Sequence, residues 1–496
     1  MVLPATVREA ARRFGDRNAY VAEAGWPLSY RDLDRLSDET AAGLLTTGVG
    51  PGRVVGVMLP PGPEFLVTYL AVAKLGAVTA GVNDRLSAHE RRAVLERAEP
   101  DLVVSTDDLA IDGFATASIA TATAPDRILV GIRRGDRPPT LPDDPSRDVA
   151  IIFTSGTTGI PKGARYGNRQ LAFITRTDVG DQWDIGGRGF TGTSFAHLGF
   201  ITKLAGNLRR GGVNFMMTRW RADATLALLE RERLTTVAGV PTQLALMLRH
   251  PDFDRYDLSS VQFIIAGGGP ITPGLAAEAR ERFGARLATR YSCTEAGIGL
   301  GTAFDAPDDD AVVSVGRPLP GVELALRDAA DLESVRDVDL GAIGEVCLRS
   351  PACMNGYWRD PAATAAAFTP DGFVRTGDLG ALDDAGRLRL VGRAKEMYVR
   401  GGYNVYPVEV EAVLSTHPAV AAIAVVPRPD DVMGEVGVAC VVVRPDQALT
   451  LASLRAHADG HLARHKLPEA LVTLDALPLT AGEKIDRRAL RSLLAP

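Results

Sequence analysis

The segment from Thr154 to Gly163 carries the most distinctive chemistry of the chain. Its sequence, Thr-Ser-Gly-Thr-Thr-Gly-Ile-Pro-Lys-Gly, follows a short apolar run, Val149–Phe153, which is typical of a buried strand. Hydroxyl groups and glycine N–H groups can together surround an anion, and Lys162 adds a positive charge. The segment therefore predicts a phosphate-binding loop, with an ordinary polar turn as the alternative. It is not a Walker loop, because Gly163 follows Lys162 where that motif requires Ser or Thr.

Four other segments contain residues that could contribute to a ligand-binding or catalytic site. Tyr291–Glu295 ends in a carboxylate, which suits a hard cation such as Mg²⁺. Gly267–Gly269 follows a predicted strand and alone indicates only a turn. Thr376-Gly377-Asp378 precedes Gly392-Arg393. Lys484 lies in a charged segment near the C-terminus, for which a solvated surface is the alternative interpretation.

The loop at 154–163 resembles the signature loop of the adenylate-forming superfamily, which includes acyl-CoA synthetases, peptide-synthetase adenylation domains and luciferases. It matches that signature at every fixed position. Tyr291–Glu295 is similar to the Tyr-Gly-x-Thr-Glu motif of the superfamily, with Ser292 in place of Gly. Further motifs follow in the expected order, at 267–270, 375–378, 392–395 and 477–487. The resemblance extends from about Ala10 to Leu490.

Enzymes of this superfamily activate a carboxylate, a poor electrophile, by joining it to the AMP portion of ATP. The site must neutralise phosphates and exclude water. The resemblance implies that Thr294 contacts the α-phosphate, Glu295 binds Mg²⁺, and Lys484 bridges the carboxylate and the α-phosphate. It also implies that Tyr291 stacks on adenine and that Asp378 accepts hydrogen bonds from the ribose hydroxyls. The implied ATP- and AMP-binding residues are Thr154, Ser155, Gly156, Thr157, Thr158, Gly159, Lys162, Gly267, Gly268, Gly269, Tyr291, Asp378 and Arg393.

The resemblance implies a second half-reaction as well, in which coenzyme A takes the acyl group. Lys395 is then the hinge residue, and the segment 396–409 swings round after adenylation. The implied coenzyme A contacts are Arg400, Gly401, Gly402, Tyr403 and Lys466. Core packing of the tyrosine and a solvated lysine are the alternatives. The implied acyl-pocket residues are His197, Gly239 and Ala266.

Two features need a separate interpretation. Glu483 stands directly before Lys484, where the superfamily usually has Gly. His457, His461 and His465 have i, i+4, i+8 spacing on a predicted helix, Leu451–His465. This spacing allows a metal site, but the stripe borders apolar positions, which favours packing.

Composition limits the class of protein. The chain has 496 residues, too many for one core, so we expect two to four domains. Its net charge of −6 gives no basic excess that would indicate a nucleic-acid partner. The four cysteines have no paired metal spacing and are too few for a disulfide framework, which predicts a cytoplasmic protein. No stretch has the apolar character of an integral membrane segment, and oligomeric state is not readable.

The elements around these motifs alternate between strand and helix. Examples are a strand at Val54–Met58, a helix at Ala88–Ala98 and a strand at 236–240. Alternation of this kind predicts parallel sheets covered by helices, with ligands bound outside the carboxyl ends of the strands. From about residue 311 to Leu390 short β runs replace the alternation.

The sequence therefore predicts an α/β fold with a large N-terminal domain, a small β subdomain and a small, mobile α+β C-terminal domain. We place the ATP- and acid-binding domain at 1–392, the hinge at 393–395 and the C-terminal lid at 396–496.

The predicted function is that of an ATP-dependent acid–thiol ligase that uses Mg²⁺ and coenzyme A. Its substrate is a fatty, aryl or alicyclic carboxylic acid. One alternative is an acyl-AMP ligase that loads a carrier protein. A second, of another class, is a non-catalytic nucleotide-binding protein.

Overall fold

The structure, a computed structural model, describes residues 2–154, 161–307, 310–329, 331 and 335–494. The chain forms two compact units. The first contains Met1–Arg221, Cys293–Ile298 and Arg349–Ala367. The second contains Ala222–Ser292, Gly299–Leu348 and Phe368–Pro496. The predicted phosphate-binding residues Ser155, Gly156, Thr157, Thr158 and Gly159 lie outside the described residues.

The secondary structure up to residue 221 alternates mainly between strands and helices. The helices are α1 Leu3–Phe14, α2 Tyr30–Leu45, α3 Pro63–Lys74, α4 Ala88–Ala98, α5 Asn168–Val179, α6 Leu198–Ile201 and α7 Leu204–Arg210. The strands are β1 Asn18–Val21, β2 Pro27–Ser29, β3 Val54–Met58, β4 Val78–Gly81, β5 Leu102–Ser105, β6 Thr116–Ser118, β7 Asp148–Thr154, β8 Lys162–Gly167, β9 Arg188–Thr191 and β10 Val213–Met216.

Beyond residue 221 the chain becomes richer in strands. The helices are α8 Ala222–Arg231, α9 Pro241–Leu248, α10 Pro273–Phe283, α11 Asp310–Val313, α12 Pro361–Ala366, α13 Pro407–Leu414, α14 Leu451–Ala458 and α15 Arg487–Leu493. The strands are β11 Thr236–Gly239, β12 Phe263–Gly267, β13 Arg286–Cys293, β14 Gly297–Gly301, β15 Arg317–Pro318, β16 Glu323–Arg327, β17 Gly344–Arg349, β18 Val374–Leu382, β19 Leu388–Arg393, β20 Tyr398–Arg400, β21 Tyr403–Val405, β22 Val420–Asp430, β23 Gly434–Val443 and β24 Ala470–Thr473.

The first unit is built around a six-stranded sheet in the order β6-β5-β3-β4-β7-β8. The first five of these strands pair in parallel, and β8 returns antiparallel to β7. Every residue of β3 is buried, as expected for a strand covered on both faces. A second sheet of this unit has the order β2-β1-β10-β9.

The described residues of the second unit form three sheets, of which one holds β11, β12 and β13 in parallel. The strands β16 to β19 form a four-stranded sheet, which confirms the short β runs predicted after residue 311. Near the C-terminus, β22 and β23 pair over their length and β24 adds in parallel to β23.

A buried ion pair joins the helices of this C-terminal part. Arg487 of α15 donates two hydrogen bonds to the Glu411 carboxylate of α13, at 2.6 and 2.9 Å. The same carboxylate accepts from the backbone N–H of Val425 at 2.7 Å. A fully satisfied carboxylate of this kind fixes α13, β22 and α15 against one another.

The helix predicted over Leu451–His465 is wrong in its length. It ends at Ala458, and the chain turns through Gly460, which has a φ of 78°. Because His461 and His465 lie beyond this end, the three histidines do not form one helical stripe. Thr416 instead contacts the His457 ring at 2.8 Å, and His465 stacks on Tyr403.

The α/β fold class is confirmed, whereas the boundaries at 392 and 395 stay predictions. Lys395 lies in the turn between β19 and β20. Among the described residues, no helix combines the length and apolar character needed to cross a bilayer.

Candidate functional site

In the first unit, β7 and β8 pair at the two ends of the predicted phosphate loop. Thr154, the last residue of β7, is opposite Lys162, the first residue of β8. The Thr154 hydroxyl is 3.5 Å from the Lys162 carbonyl oxygen. The two ends of the predicted phosphate loop are therefore fixed by the sheet.

Tyr357 links two of the predicted site residues. Its hydroxyl donates to Glu295 Oε1 at 2.8 Å, and Lys162 Nζ lies 5.1 Å from the centroid of its ring. Burial and the neighbouring Glu295 carboxylate raise the pKa of the Tyr357 hydroxyl, so it remains a proton donor at neutral pH. A cation of the predicted phosphate loop and the predicted metal ligand thus converge on one aromatic side chain.

Tyr357 is itself positioned by the edge of the sheet. Trp358 donates its backbone N–H to the Gly163 carbonyl at 2.7 Å, and Tyr357 forms a β-bridge with Ala164. The segment therefore runs alongside β8. The Met354 N–H donates to the Glu295 carbonyl at 2.9 Å, which ties the same segment to the turn that carries Glu295.

A buried tyrosine, Tyr166, stabilises the turn that contains Thr294. The Tyr166 hydroxyl donates to the Thr294 carbonyl oxygen at 2.8 Å. Burial raises the pKa of Tyr166 well above its usual value, so the hydroxyl stays protonated. Because Tyr166 is in β8, one strand orients both the loop end at Lys162 and the turn at 294–295.

His197, a predicted acyl-pocket residue, also lies in the first unit. It precedes α6, and its Nε2 is 3.2 Å from Asn83 Nδ2. The amide of Asn83 can only donate through this nitrogen, so the ring nitrogen is the acceptor in that contact.

In the second unit, Asp378 is the centre of a chain of polar contacts. Tyr291 donates its hydroxyl to Asp378 Oδ2 at 2.6 Å, and Arg393 donates Nε to Oδ1 at 2.9 Å. Asp378 and Arg393 are opposite each other in the pairing of β18 with β19. The Asp378 carboxylate raises the pKa of the Arg393 guanidinium. Three predicted nucleotide-binding residues are therefore brought together around one buried carboxylate.

The three glycines Gly267–Gly269 lie at the carboxyl end of β12. Gly268 has a φ of +77°, and a Cβ added there would lie 4.0 Å from Lys484 Cε and 3.3 Å from Val240. The stem of Lys484 therefore lies beside this glycine turn. Gly239 and Ala266, both predicted acyl-pocket residues, face each other in the register of β11 with β12.

Glu483 has a structural role that explains its place before Lys484. Its φ is +60°, in the left-handed region that glycine prefers. Its carboxylate accepts a hydrogen bond from the buried side chain of Gln243 in α9. Gln243 Oε1 in turn accepts from the Val240 N–H at 3.1 Å. A Cβ on Gly239 would lie 2.6 Å from this Gln243 oxygen, so the absence of a side chain makes room for the amide.

The predicted coenzyme A residues lie on a hairpin and a neighbouring loop. Gly401 and Gly402 form the two-residue turn between β20 and β21, both with positive φ, as in the type I′ turns that favour glycine. Arg400 pairs with Glu469, and Lys466 pairs with Glu409 at 2.6 Å. Tyr403 is 60% exposed and stacks on His465, with 4.5 Å between ring centroids.

Two residues of these sites were missed in the sequence. Tyr357 contacts Glu295, and Gln243 contacts Glu483. Both pairs are far apart in the sequence and meet only in the folded protein. The Gly356-Tyr357-Trp358 sequence was a usable signal, since adjacent aromatic residues stand out in a polar stretch. Gln243 gave no such signal.

The described side chains that could bind a metal ion at this site are few. The described residues contain no group of three or more His, Cys, Asp or Glu side chains that could hold one. Mg²⁺ commonly binds through one or two carboxylates together with substrate phosphates, so a single oriented carboxylate at Glu295 fits it.

The chain matches known sequence families over most of its length. The AMP-binding enzyme family matches residues 7–358, and the AMP-binding enzyme C-terminal domain matches residues 409–484.

Individual proteins are similar over nearly the whole chain. Indoleacetate–CoA ligase from Aromatoleum aromaticum is 34% identical over 94% of this chain and 93% of its own. Fatty acid–[acyl-carrier-protein] ligase ScoC from Streptomyces coeruleorubidus is 31% identical over 94% of this chain and 92% of its own.

A solved structure of a related enzyme is similar to this chain over almost its whole length. The amide bond synthetase McbA from Marinactinospora thermotolerans has a TM-score of 0.85, with 30% identity and 99% coverage of both chains. From the family matches and these relatives, the chain belongs to the AMP-binding enzyme family, within the adenylate-forming superfamily and of the acyl-CoA synthetase type.

Proposed function

We propose that this enzyme is an AMP-forming acid–CoA ligase in which Glu295, Lys162 and Lys484 act on the phosphates of ATP. The observation that carries the roles of Glu295 and Lys162 is their convergence on Tyr357. An oriented carboxylate beside a phosphate-loop lysine supports binding of a magnesium–nucleotide complex.

In the first half-reaction, a carboxylate oxygen of the acid attacks the α-phosphorus of ATP. The bond to pyrophosphate breaks, and acyl-AMP and pyrophosphate form. Glu295 would hold Mg²⁺, which would neutralise phosphate charge. Lys162 and the loop around it bind the β and γ phosphates, and Asp378 orients the ribose hydroxyls. Each oxygen of the Asp378 carboxylate accepts one hydrogen bond within the protein and keeps a further lone pair, so Asp378 can still accept from a ligand.

Lys484 brings the two anionic reactants together. Its stem lies beside Gly268, at the carboxyl end of a parallel strand, where open α/β sheets bind ligands. A lysine suits this role because its ammonium group is a compact charge on a flexible stem.

In the second half-reaction, the thiol of coenzyme A displaces AMP from the acyl carbon and loses its proton. Arg400, Gly401, Gly402, Tyr403 and Lys466 are the proposed contacts with coenzyme A. The two cations are engaged with Glu469 and Glu409, so we expect coenzyme A to displace these carboxylates when it binds.

The relatives differ in the acyl acceptor that their names state: coenzyme A, a carrier protein and an amine. The highest identity among these three is to the CoA ligase, which supports coenzyme A here. A carrier protein is the second candidate acceptor. We further propose an aryl or alicyclic acid rather than a long fatty acid, on the similarity to a ligase for indoleacetate. The cytoplasmic location inferred from cysteine usage stays a prediction.

The test of the Lys484 role is adenylate formation, measured by acid-dependent exchange of labelled pyrophosphate into ATP. Lys484→Ala is expected to lose the exchange activity while it still binds ATP. Arg488→Ala is the matched control, since it removes another exposed cation close by in the sequence. Undiminished exchange in Lys484→Ala, or equal loss in both variants, would remove Lys484 from the reaction.

A further inference from the structure

A cavity of about 390 Å³ lies in the first unit, on residues that the proposed reaction does not use. Its walls come from the hairpin between β1 and β2, the chain after β3, β5 and β6, and the end of β10. The wall residues that matter here are Trp26, Leu59, Glu64, Thr106, Ala122 and Met216. The volume falls within the usual range for pockets that bind small molecules.

The position of this cavity in the sheet is that of a ligand-binding crevice. β3 and β5 are parallel neighbours. The chain leaves β3 towards β4 on one side and leaves β5 towards β6 on the other. Such a reversal of direction between adjacent strands opens a crevice at their carboxyl ends, and open α/β sheets bind ligands there. Leu59 and Thr106, both wall residues, directly follow these two strands.

Two polar atoms of the wall lack a partner within the described part of the protein. Trp26 Nε1 and Thr106 Oγ1 are both buried without a hydrogen bond. Thr106 as a whole is only 8% exposed. An unsatisfied buried donor costs free energy, so a ligand with an acceptor group gains by meeting it.

The charge of the wall excludes anions. The described wall residues include Glu23 and Glu64 and no Lys, Arg or His. Glu64 is 6% exposed and accepts the Ala122 N–H at 2.5 Å. Burial raises its pKa, since a charge at this position is poorly solvated. The substrates of the ligase reaction, all anionic, therefore do not suit this cavity.

We propose that this cavity is a second binding site, which takes a small, uncharged, largely apolar molecule that carries a carbonyl or amide acceptor. The apolar wall of Trp26, Leu59 and Met216 covers the body of the ligand. The ligand oxygen accepts from the indole N–H of Trp26, with Thr106 as a second polar contact.

The probe is benzamide, with benzoate and benzylammonium as anionic and cationic analogues of the same size. The whole enzyme is labelled with ¹⁵N at its tryptophan side chains, of which the sequence has 4. Trp26→Phe assigns the Trp26 indole signal. We expect benzamide to shift this signal saturably, with a Kd on the order of 1 mM for so small a ligand. Benzoate and benzylammonium are both expected to leave it unchanged, because the proposed ligand is uncharged.

Two variants test whether the shift comes from the cavity. Ala122→Phe fills it and is expected to abolish the shift, whereas Ala110→Phe, at an exposed alanine outside the wall, is the control. Thr106→Val removes the second polar contact and is expected to weaken benzamide binding several-fold. An unshifted Trp26 signal with benzamide overturns the site. An equal response to benzoate overturns the ligand class, and an unchanged response in Ala122→Phe overturns the location.

Discussion

The contact between Glu483 and Gln243 makes a quantitative prediction about Lys484. Glu483 adopts positive φ, which costs a non-glycine residue about 1–2 kcal/mol. A hydrogen bond to a charged acceptor contributes about 1.5–3 kcal/mol. We therefore expect the bond to Gln243 to offset the backbone cost and to hold the segment that carries Lys484.

Glu483→Ala removes this bond and keeps the backbone cost. Lys484 then leaves its position beside Gly268 more readily, and adenylate formation is expected to fall roughly tenfold to hundredfold, since about 1.4 kcal/mol corresponds to a factor of ten. Glu483→Gly removes the bond but also the backbone cost of about 1–2 kcal/mol. It is therefore expected to be roughly fivefold to thirtyfold more active than Glu483→Ala.

The assay is acid-dependent pyrophosphate exchange at saturating ATP. Asp446 is the control, because it is another non-glycine residue at positive φ and lies exposed in the loop after β23. Its Ala and Gly variants are expected to leave exchange unchanged. Gln243→Leu is expected to reproduce the loss of Glu483→Ala, and the double variant is expected to lose little more, as coupled residues do. Full exchange in Glu483→Ala, or a more active Ala than Gly variant, would refute the link to Lys484.

Three further predictions concern other contacts. Tyr357→Phe keeps the ring and removes the hydrogen bond to Glu295, so kcat/KM for magnesium–ATP is expected to fall roughly tenfold to hundredfold in steady-state kinetics; an unchanged value would separate Tyr357 from the site. Arg487→Ala leaves the buried Glu411 carboxylate unpaired and is expected to cost about 3–5 kcal/mol in urea unfolding, whereas replacing both residues by apolar ones is expected to cost less. Burial raises the pKa of Glu64 in the folded state. Ionisation of the Glu64 carboxyl therefore lowers the free energy of unfolding as the pH rises above about 4.3, the ordinary pKa of Glu. Glu64→Gln is accordingly expected to gain thermal stability over the unmodified chain from pH 4 to pH 7, and a constant difference would contradict this.

Local signals in the sequence were sufficient for elements with clear boundaries. The strand Val54–Met58 and the helix Ala88–Ala98 have the predicted bounds, because a proline follows each of them within two residues and leaves few alternatives. The resemblance to the adenylate-forming superfamily and to acyl-CoA synthetases is also confirmed by the family matches.

Competing local signals explain the secondary-structure elements that were predicted with wrong bounds or missed. The histidine spacing favoured one long helix after Leu451, but Gly460 ends it early. The hairpin of β20 and β21 was missed because the glycine pair at its turn was interpreted only as a ligand contact. A glycine pair at a two-residue turn is itself a hairpin signal.

Contacts between segments that are distant in the sequence could not be predicted from it. Nothing local indicates that Tyr357 donates to Glu295 or that Gln243 donates to Glu483. The departure from glycine at Glu483 was visible in the sequence, but its reason required both the positive φ and the partner. The roles of the predicted site residues stay predictions that the variants above can test.

The most direct test of the proposed function is one incubation of the enzyme with ATP, Mg²⁺, coenzyme A and a mixed set of aryl, alicyclic and fatty acids, followed by mass spectrometry. We predict an acyl-CoA from an aryl or alicyclic acid, with AMP and pyrophosphate as the other products. Acyl-AMP without acyl-CoA would contradict coenzyme A as the acceptor. ADP and phosphate in place of AMP and pyrophosphate would contradict the adenylation chemistry itself.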